Sequence, residues 1–365
     1  MIKINLLTIN ALFLILGYHT AAWSQQKIRR PVDPVGFATR SWQMDSVTAR
    51  ISRQFGKKNR EILEDKNIRP FTQWKVVICP HDDYAYAGWL YPLILQNVKT
   101  PIVILVGVAH KARKYGIEDK MVFDSYDFWK APYGPVKVSW LREKIMNQLP
   151  RSTYIVGDSL HQAEHSLEAI IPWLQYYYKG IEIVPILIPY MSFKTMDALS
   201  NSLSFALMKL SQDGIINRNR DITLVISNDA VHYGVQDWGG ANYAPYGTDT
   251  AGYRKAITHE TEIIRECLTG EITKEKLQRF TSYTVQDTNY HTYKWSWCGR
   301  YSVPFGLLTN YHLEQMLHSN PVSGSLLGYS TSISQPSLSF EDLNMGKTAA
   351  ASLNHWVGYA AIGYK

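Results

Sequence analysis

Three short apolar runs, rich in β-branched residues, constrain this chain most: Val76-Val77-Ile78-Cys79, Ile102 to Val108, and Ile222 to Ile226. Each lacks the polar alternation of a half-exposed strand, so each reads as a strand buried on both faces, the kind that builds parallel sheets. The segment Tyr86 to Asn97 suits one crossover helix between the first two, which predicts a βαβ unit and a parallel pair. Asp45 to Lys58 suits a helix, and Thr250 to Leu268 has a helical pattern. Asp158 can cap a helix whose apolar positions run from Leu160 to Leu174 at helical spacing. A strand at Ile183 to Ile188, a helix from Phe193 to Leu210 and a closing strand at Trp356 to Tyr364 complete the pattern. The expected fold is α/β: a single domain over residues 41–365 with a mainly parallel central sheet flanked by helices. Residues 25–40 carry Pro31 and Pro34 and read as an extended N-terminal arm.

Residues 1–24 have the layout of a secretory signal peptide. Lys3 is their only charge, Leu6 to Gly17 is apolar except for Thr8 and Asn10, and Ala22-Trp23-Ser24 offers small residues for cleavage. The apolar run is too short to span a bilayer comfortably. The expectation is an exported protein, periplasmic or extracellular, with no membrane span after cleavage. The net charge of +7 would suit nucleic acid, but the basic residues are scattered. The densest clusters, Lys27 to Arg30 and Lys57 to Arg60, read as solvated faces, so nucleic acid is not an expected partner.

All three strong runs lead into chemistry. The first is followed by Pro80-His81-Asp82-Asp83, the second by Ala109-His110, the third by Ser227-Asn228-Asp229 and then His232. Open α/β sheets place their sites beyond the carboxyl ends of their strands. Parallel strands would therefore gather His81, His110, Asp229 and His232 at one edge. Imidazole is the commonest side-chain metal ligand. Two histidines need at least one further ligand, and Asp82, Asp83, Asp229, Cys79 and Cys298 are the candidates. Cys79 lies inside its strand and reads as a buried hydrophobe. Cys298 lies in a turn-like stretch where Gly299 permits tight geometry and Arg300 can lower a thiol pKa. Cys267 sits in a helical pattern and reads as core. His161, His165 and Glu168 would share a helix face over the site, which favours a supporting, hydrogen-bonding role.

Taken together, the motifs resemble the Memo family, which includes AmmeMemoRadiSam system protein B. The matching pieces are Pro80-His81 with Tyr84, Tyr86 and Gly88; Gly107 to His110; Ala131 to Pro135; Glu164-His165-Ser166-Leu167-Glu168; Ser227, Asp229, His232, Tyr233 and Gly234; Cys298-Gly299-Arg300; and Gly358 to Ala361. The resemblance implies the fold of LigB-type class III extradiol dioxygenases. It implies one transition-metal ion on His81, His110 and Cys298, with Asp229 and His232 beside it as catalytic residues. Fe(II) or copper suits two imidazoles and a thiolate, and zinc is compatible. Asp82 and Asp83 depart from the small residues usual after the Pro-His pair. Export is a second departure, since the best-known relatives are intracellular.

Three functions follow as expectations. The first is a dioxygenase-like, metal-dependent oxidoreductase in which His232 moves protons, Asp229 orients it, and Arg300 or Tyr84 holds an anionic or phenolic small-molecule substrate. The second is a copper- or iron-binding protein without turnover. The third is a ligand- or peptide-binding module with a vestigial site.

Overall fold

The computed structural model describes residues 26–365. The expected signal segment lies outside them. The three strong runs form strands β1 (Val76–Cys79), β2 (Ile102–Val108) and, after β3 (Glu182–Ile188), β4 (Ile222–Ser227). All four are parallel, in the order β3-β2-β4-β1. The predicted βαβ unit is therefore parallel, but its strands are not neighbours. β4 inserts between them, with Cys79 opposite Ser227 and Val106 opposite Ile226.

Beyond β1 the sheet turns antiparallel. The chain runs on from β4 into β5 (Asp229–Gly234), and later into β6 (Ser323–Thr331) and β7 (His355–Tyr364). The predicted closing strand is β7. It pairs with β1, β5 and β6 and so ties the two parts of a 13-stranded sheet together.

Side chains alternate across the central strands, as the period of two requires. Val76, Ile78, Ile104, Val106, Leu224 and Ile226 pack on one face. There they meet the helix Phe193–Gln212, whose end at Ser192 accepts a hydrogen bond from Thr195 N–H, and the helix Ser302–Met316. Val77, Cys79, Val103, Leu105 and Val225 face the other core, with Met44, Tyr91 and Trp173. Burial of each such aliphatic side chain contributes about 1.5–3 kcal/mol.

Four local expectations are corrected. The helix expected over Asp45 to Lys58 is Ser41–Asp65. It starts earlier because Gln43 reaches back and accepts from Thr39 N–H and Arg40 N–H. The helix expected over Tyr86 to Asn97 is two pieces, Tyr84–Ala87 and Leu90–Leu95. Pro92 has no N–H to offer the Gly88 carbonyl, so the ladder lapses there. The long helix after Asp158 is also two, Asp158–Ala163 and Ile171–Tyr177. Asp158 does not cap it but accepts from Ser125 N–H and Oγ–H. Glu164 takes the N–H groups of His165 and Ser166, and the chain leaves the helix at that point. Finally, Arg29, expected on a solvated face, is 2% exposed. Its guanidinium donates to Glu168 and to the carbonyls of His161 and Glu164, and it lies over the Trp129 ring. Among the described residues, no helix is long and apolar enough to cross a membrane.

Candidate metal centre

Adjacent, in-register β2, β4 and β1 end together, so the residues after them must meet. His81 follows β1 by one proline. Its backbone N–H donates to Asp229 Oδ1 (2.9 Å), just past the end of β4. Its Nδ1 lies 2.8 Å from Ser227 Oγ. The Ser227 hydroxyl spends its one proton on the Ser166 carbonyl, so it accepts from His81 Nδ1–H. The Nε2 of His81 is thereby left with its lone pair outward. His110 is set in the same way: Glu164 accepts from its backbone N–H (2.6 Å) and its Nδ1 (2.8 Å).

Cys298 arrives from far along the chain. Residues 295–299 run antiparallel beside β5, with His232 N–H donating to the Ser296 carbonyl and Cys298 N–H to the Ala230 carbonyl. An isolated bridge joins Val231 and Trp297. Gly299 lets this segment come close, because a Cβ there would sit 2.1 Å from Asn228 Oδ1. The thiol ends 3.0 Å from His110 Nε2 and 3.5 Å from His81 Nε2.

These ligand atoms all lie within 4.8 Å of one another. Two donors on one tetrahedral ion would be separated by roughly 3.4–3.6 Å. Asp229 Oδ2 adds a carboxylate oxygen 3.4 Å from His81 Nε2. Lone pairs thus face lone pairs in a buried place, an arrangement that a cation relieves. His81, His110 and Cys298 can hold a metal ion, with Glu164 and Ser227 fixing the two rings.

Burial, aided by the neighbouring histidines, pushes the His81 imidazole well below its ordinary range. Burial also disfavours a charge on His110, but the Glu164 carboxylate and Cys298 outweigh it and hold that imidazole high. Glu164 feels burial upward, yet the charge and hydrogen bond of His110 hold it at about 2. Burial raises the Cys298 thiol, against the pull of His110. Burial and then His110 lower His165 to about 4 and His232 to about 3, so both rings are neutral at pH 7.

The metal-facing side opens into a cavity of about 250 Å³. His165 and His232 line it, together with Asp82, Asp83 and Asp229. His165 stacks on His110 with ring centroids 4.8 Å apart. The His232 Nε2 is buried and has no hydrogen-bond partner among the described residues. Asp82 accepts from the Tyr359 hydroxyl and from Asp83 N–H. Asp83 accepts from Thr348 N–H and Oγ–H. Burial and then Asp82 raise Asp83 to about 8.

The remaining expected site residues lie elsewhere. Tyr84 is a core residue, its hydroxyl on the Ala169 carbonyl and its ring against Tyr91 and Trp173. Glu168 binds Arg29 and the N–H groups of Val32 and Asp33, away from the cavity. His161 is fully buried and does not share a helix face with His165 and Glu168. Arg300 lies on the far side of Cys298, its guanidinium 3.6 Å over the Tyr293 ring. Asp229 makes no hydrogen bond to His232 among the described residues; it holds the His81 backbone instead. Cys79 and Cys267 are both fully buried in apolar clusters. Glu164 and Ser227 had no assigned role in the sequence. Nothing local marks them, since their partners are 54 and 146 residues away.

The grip of Glu164 on His110 makes a direct prediction. Glu164→Gln keeps the shape but removes the charge that sets the ring, so metal affinity falls about 10–100-fold. A competition titration against a chelator of known affinity measures this, and an unchanged affinity would remove Glu164 from the centre.

A sequence profile described as "Memo-like protein" matches residues 50–338. A MEMO1 family protein of Aquifex aeolicus is 29% identical over 163 residues, 44% of this chain and 54% of that protein. One of Pyrococcus furiosus is 26% identical over 184 residues, 48% of this chain and 57% of that protein. Another, of Caldivirga maquilingensis, is 25% identical over 203 residues, 54% of this chain and 65% of that protein. The chain thus spans a little over half the length of these curated relatives. With most of its length matched by the profile, the chain belongs to the Memo-like protein family.

Proposed function

We propose that this protein is an exported, metal-dependent oxidoreductase of dioxygenase-like type, acting on a small molecule at an iron or copper ion on His81, His110 and Cys298. The observation that carries the reading is the cavity: His81 and His110 face open space lined by proton-handling groups, with Cys298 closing the triad from behind, rather than a closed cage. Catalytic metal sites keep an open position, whereas structural ones are closed. Bound there, the metal supplies Lewis acidity and one-electron chemistry. Iron and copper suit a thiolate with two imidazoles. The signal-like residues 1–24 support export.

The chain's own groups bind, orient and move protons. Ser227 and Glu164 hold the two imidazoles in one tautomer, and Asp229 holds the His81 backbone. His232 is neutral at pH 7, with a ring nitrogen that no group among the described residues satisfies. It is placed to exchange a proton with a molecule in the cavity.

Oxygen uptake by Fe(II)- or copper-loaded protein, across a panel of catechols and thiols, tests this. Uptake is expected with at least one member of the panel. His232→Ala should keep its metal and lose about 100-fold or more in rate. An unchanged rate would end the proton-transfer role. A second reading, copper binding without turnover, is favoured by the soft thiolate beside two imidazoles. Tight Cu(I) binding with no oxygen uptake from any panel member would select it.

A further inference from the structure

The cavity above the donors is rich in acidic side chains. Four carboxyl groups line it, those of Asp33, Asp82, Asp83 and Asp229, and among the described residues no lysine or arginine does. Lys347 donates to Ser337, and Arg300 stacks on Tyr293 behind Cys298. A divalent ion on the triad is matched by the Cys298 thiolate and the adjoining Asp229. That leaves Asp33, Asp82 and Asp83 with no lysine or arginine partner among the described residues.

The geometry of two of these acids is directed. Asp83 is 2% exposed. Its Oδ2 takes both Thr348 donors, while among the described residues its Oδ1 accepts no hydrogen bond. Asp33 likewise spends Oδ1 on the N–H groups of Val35 and Gly36 and leaves Oδ2 free. The two free oxygens converge on Gly36: a Cβ there would meet Asp83 Oδ1 at 2.0 Å and Asp33 Oδ2 at 3.5 Å. Independently of the acids, the buried His232 Nε2 offers a polar atom to the same space. Phe37, Tyr86 and Trp238 supply aromatic walls, which attract organic cations.

We propose that the molecule this cavity takes is a small organic cation, an aromatic or aliphatic amine whose ammonium group sits against Asp33, Asp82 and Asp83. The inference rests on the reading of the cavity as a metal-dependent active site, and it names the substrate class of that site. Burying isolated carboxylates is costly unless they are paired. An ammonium group supplies a charge to all three and the hydrogen-bond donors that Asp33 Oδ2 and Asp83 Oδ1 lack among the described residues.

Three probes with one ring and one phenol isolate the charge: tyramine, 4-ethylphenol and 4-hydroxyphenylacetate. Binding of each to the full-length mature protein is measured by calorimetry, with metal loaded and in a His110→Ala variant that lacks a ligand. Tyramine should bind at least about tenfold more tightly than 4-ethylphenol, and 4-hydroxyphenylacetate more weakly than either. In the double variant Asp33→Asn/Asp83→Asn, which keeps the acceptor oxygens, the preference for tyramine should drop to about threefold or less. Equal affinities for the first two probes, a preference for the anion, or no tyramine binding at millimolar concentration would overturn the proposal. The wild-type series does so without relying on any variant. Charge selection that persists in His110→Ala, with no oxygen uptake by the loaded protein, would uphold the cation site and reject the catalytic reading. Oxygen uptake without charge selection would do the reverse.

Discussion

Cys298→Ser is expected to leave the protein folded but without its metal. Purified without chelators, the wild-type chain should carry close to one equivalent of transition metal by elemental analysis, and the variant below about a tenth of that. The reason lies in the donor set. With a metal bound, His81 and His110 would present neutral nitrogens, and the Cys298 sulfur, 3.5 Å and 3.0 Å from them respectively, would be the anionic soft ligand. A serine hydroxyl is harder and does not ionise near pH 7, so two imidazoles would remain. Burial and hydrogen bonding otherwise change little, because the backbone of residue 298 is held by Ala230 regardless of its side chain. The variant should therefore also lose the metal-dependent part of its thermal stability. That part is about 2.7 kcal/mol when free metal stands at a hundred times its dissociation constant. Equal metal in both proteins would move the centre off Cys298.

The second large effect is far from any expected ligand. Arg29→Met should destabilise the protein by about 3–5 kcal/mol, seen as a lower midpoint in chemical or thermal unfolding. Arg29 and Glu168 form an ion pair with side chains 2% and 5% exposed. Losing the guanidinium strands a carboxylate in the interior, and it also frees the carbonyls of His161 and Glu164. The double variant Arg29→Met/Glu168→Leu removes the stranded charge and should recover much of the loss. If it is as unstable as the single variant, the ion pair is not the cause. The same arm residue steadies the Glu164 loop, so Arg29→Met should weaken metal binding along with stability, whereas Cys298→Ser affects the metal first.

Much of this was legible along the chain. Three β-branched runs announced central parallel strands, because only a strand covered on both faces tolerates unbroken apolar character. Their histidine endings announced a site at the carboxyl edge, and β1, β2 and β4 do bring His81, His110 and Asp229 there. The helix boundaries were less legible. Gln43 starts a helix early through a side-chain contact, Pro92 interrupts one, and Glu164 ends one, each by a hydrogen bond made or withheld.

What the sequence by itself determined, then, is the α/β class, the parallel strands and the two histidines, since periodicity and strand-end position are local properties. The candidate third ligand came only through the family resemblance, and the tertiary structure shows how it reaches the two histidines: residues 295–299 add themselves beside β5 and carry the Cys298 sulfur to the edge. Tertiary structure alone also decided that Glu164 and Ser227 orient the rings, that Arg29 is buried, and that Asp82 and Asp83 join Asp33 in an acidic cavity. Those pairings span from tens to hundreds of residues. No local pattern encodes them; they exist only once the sheet order has placed distant segments side by side.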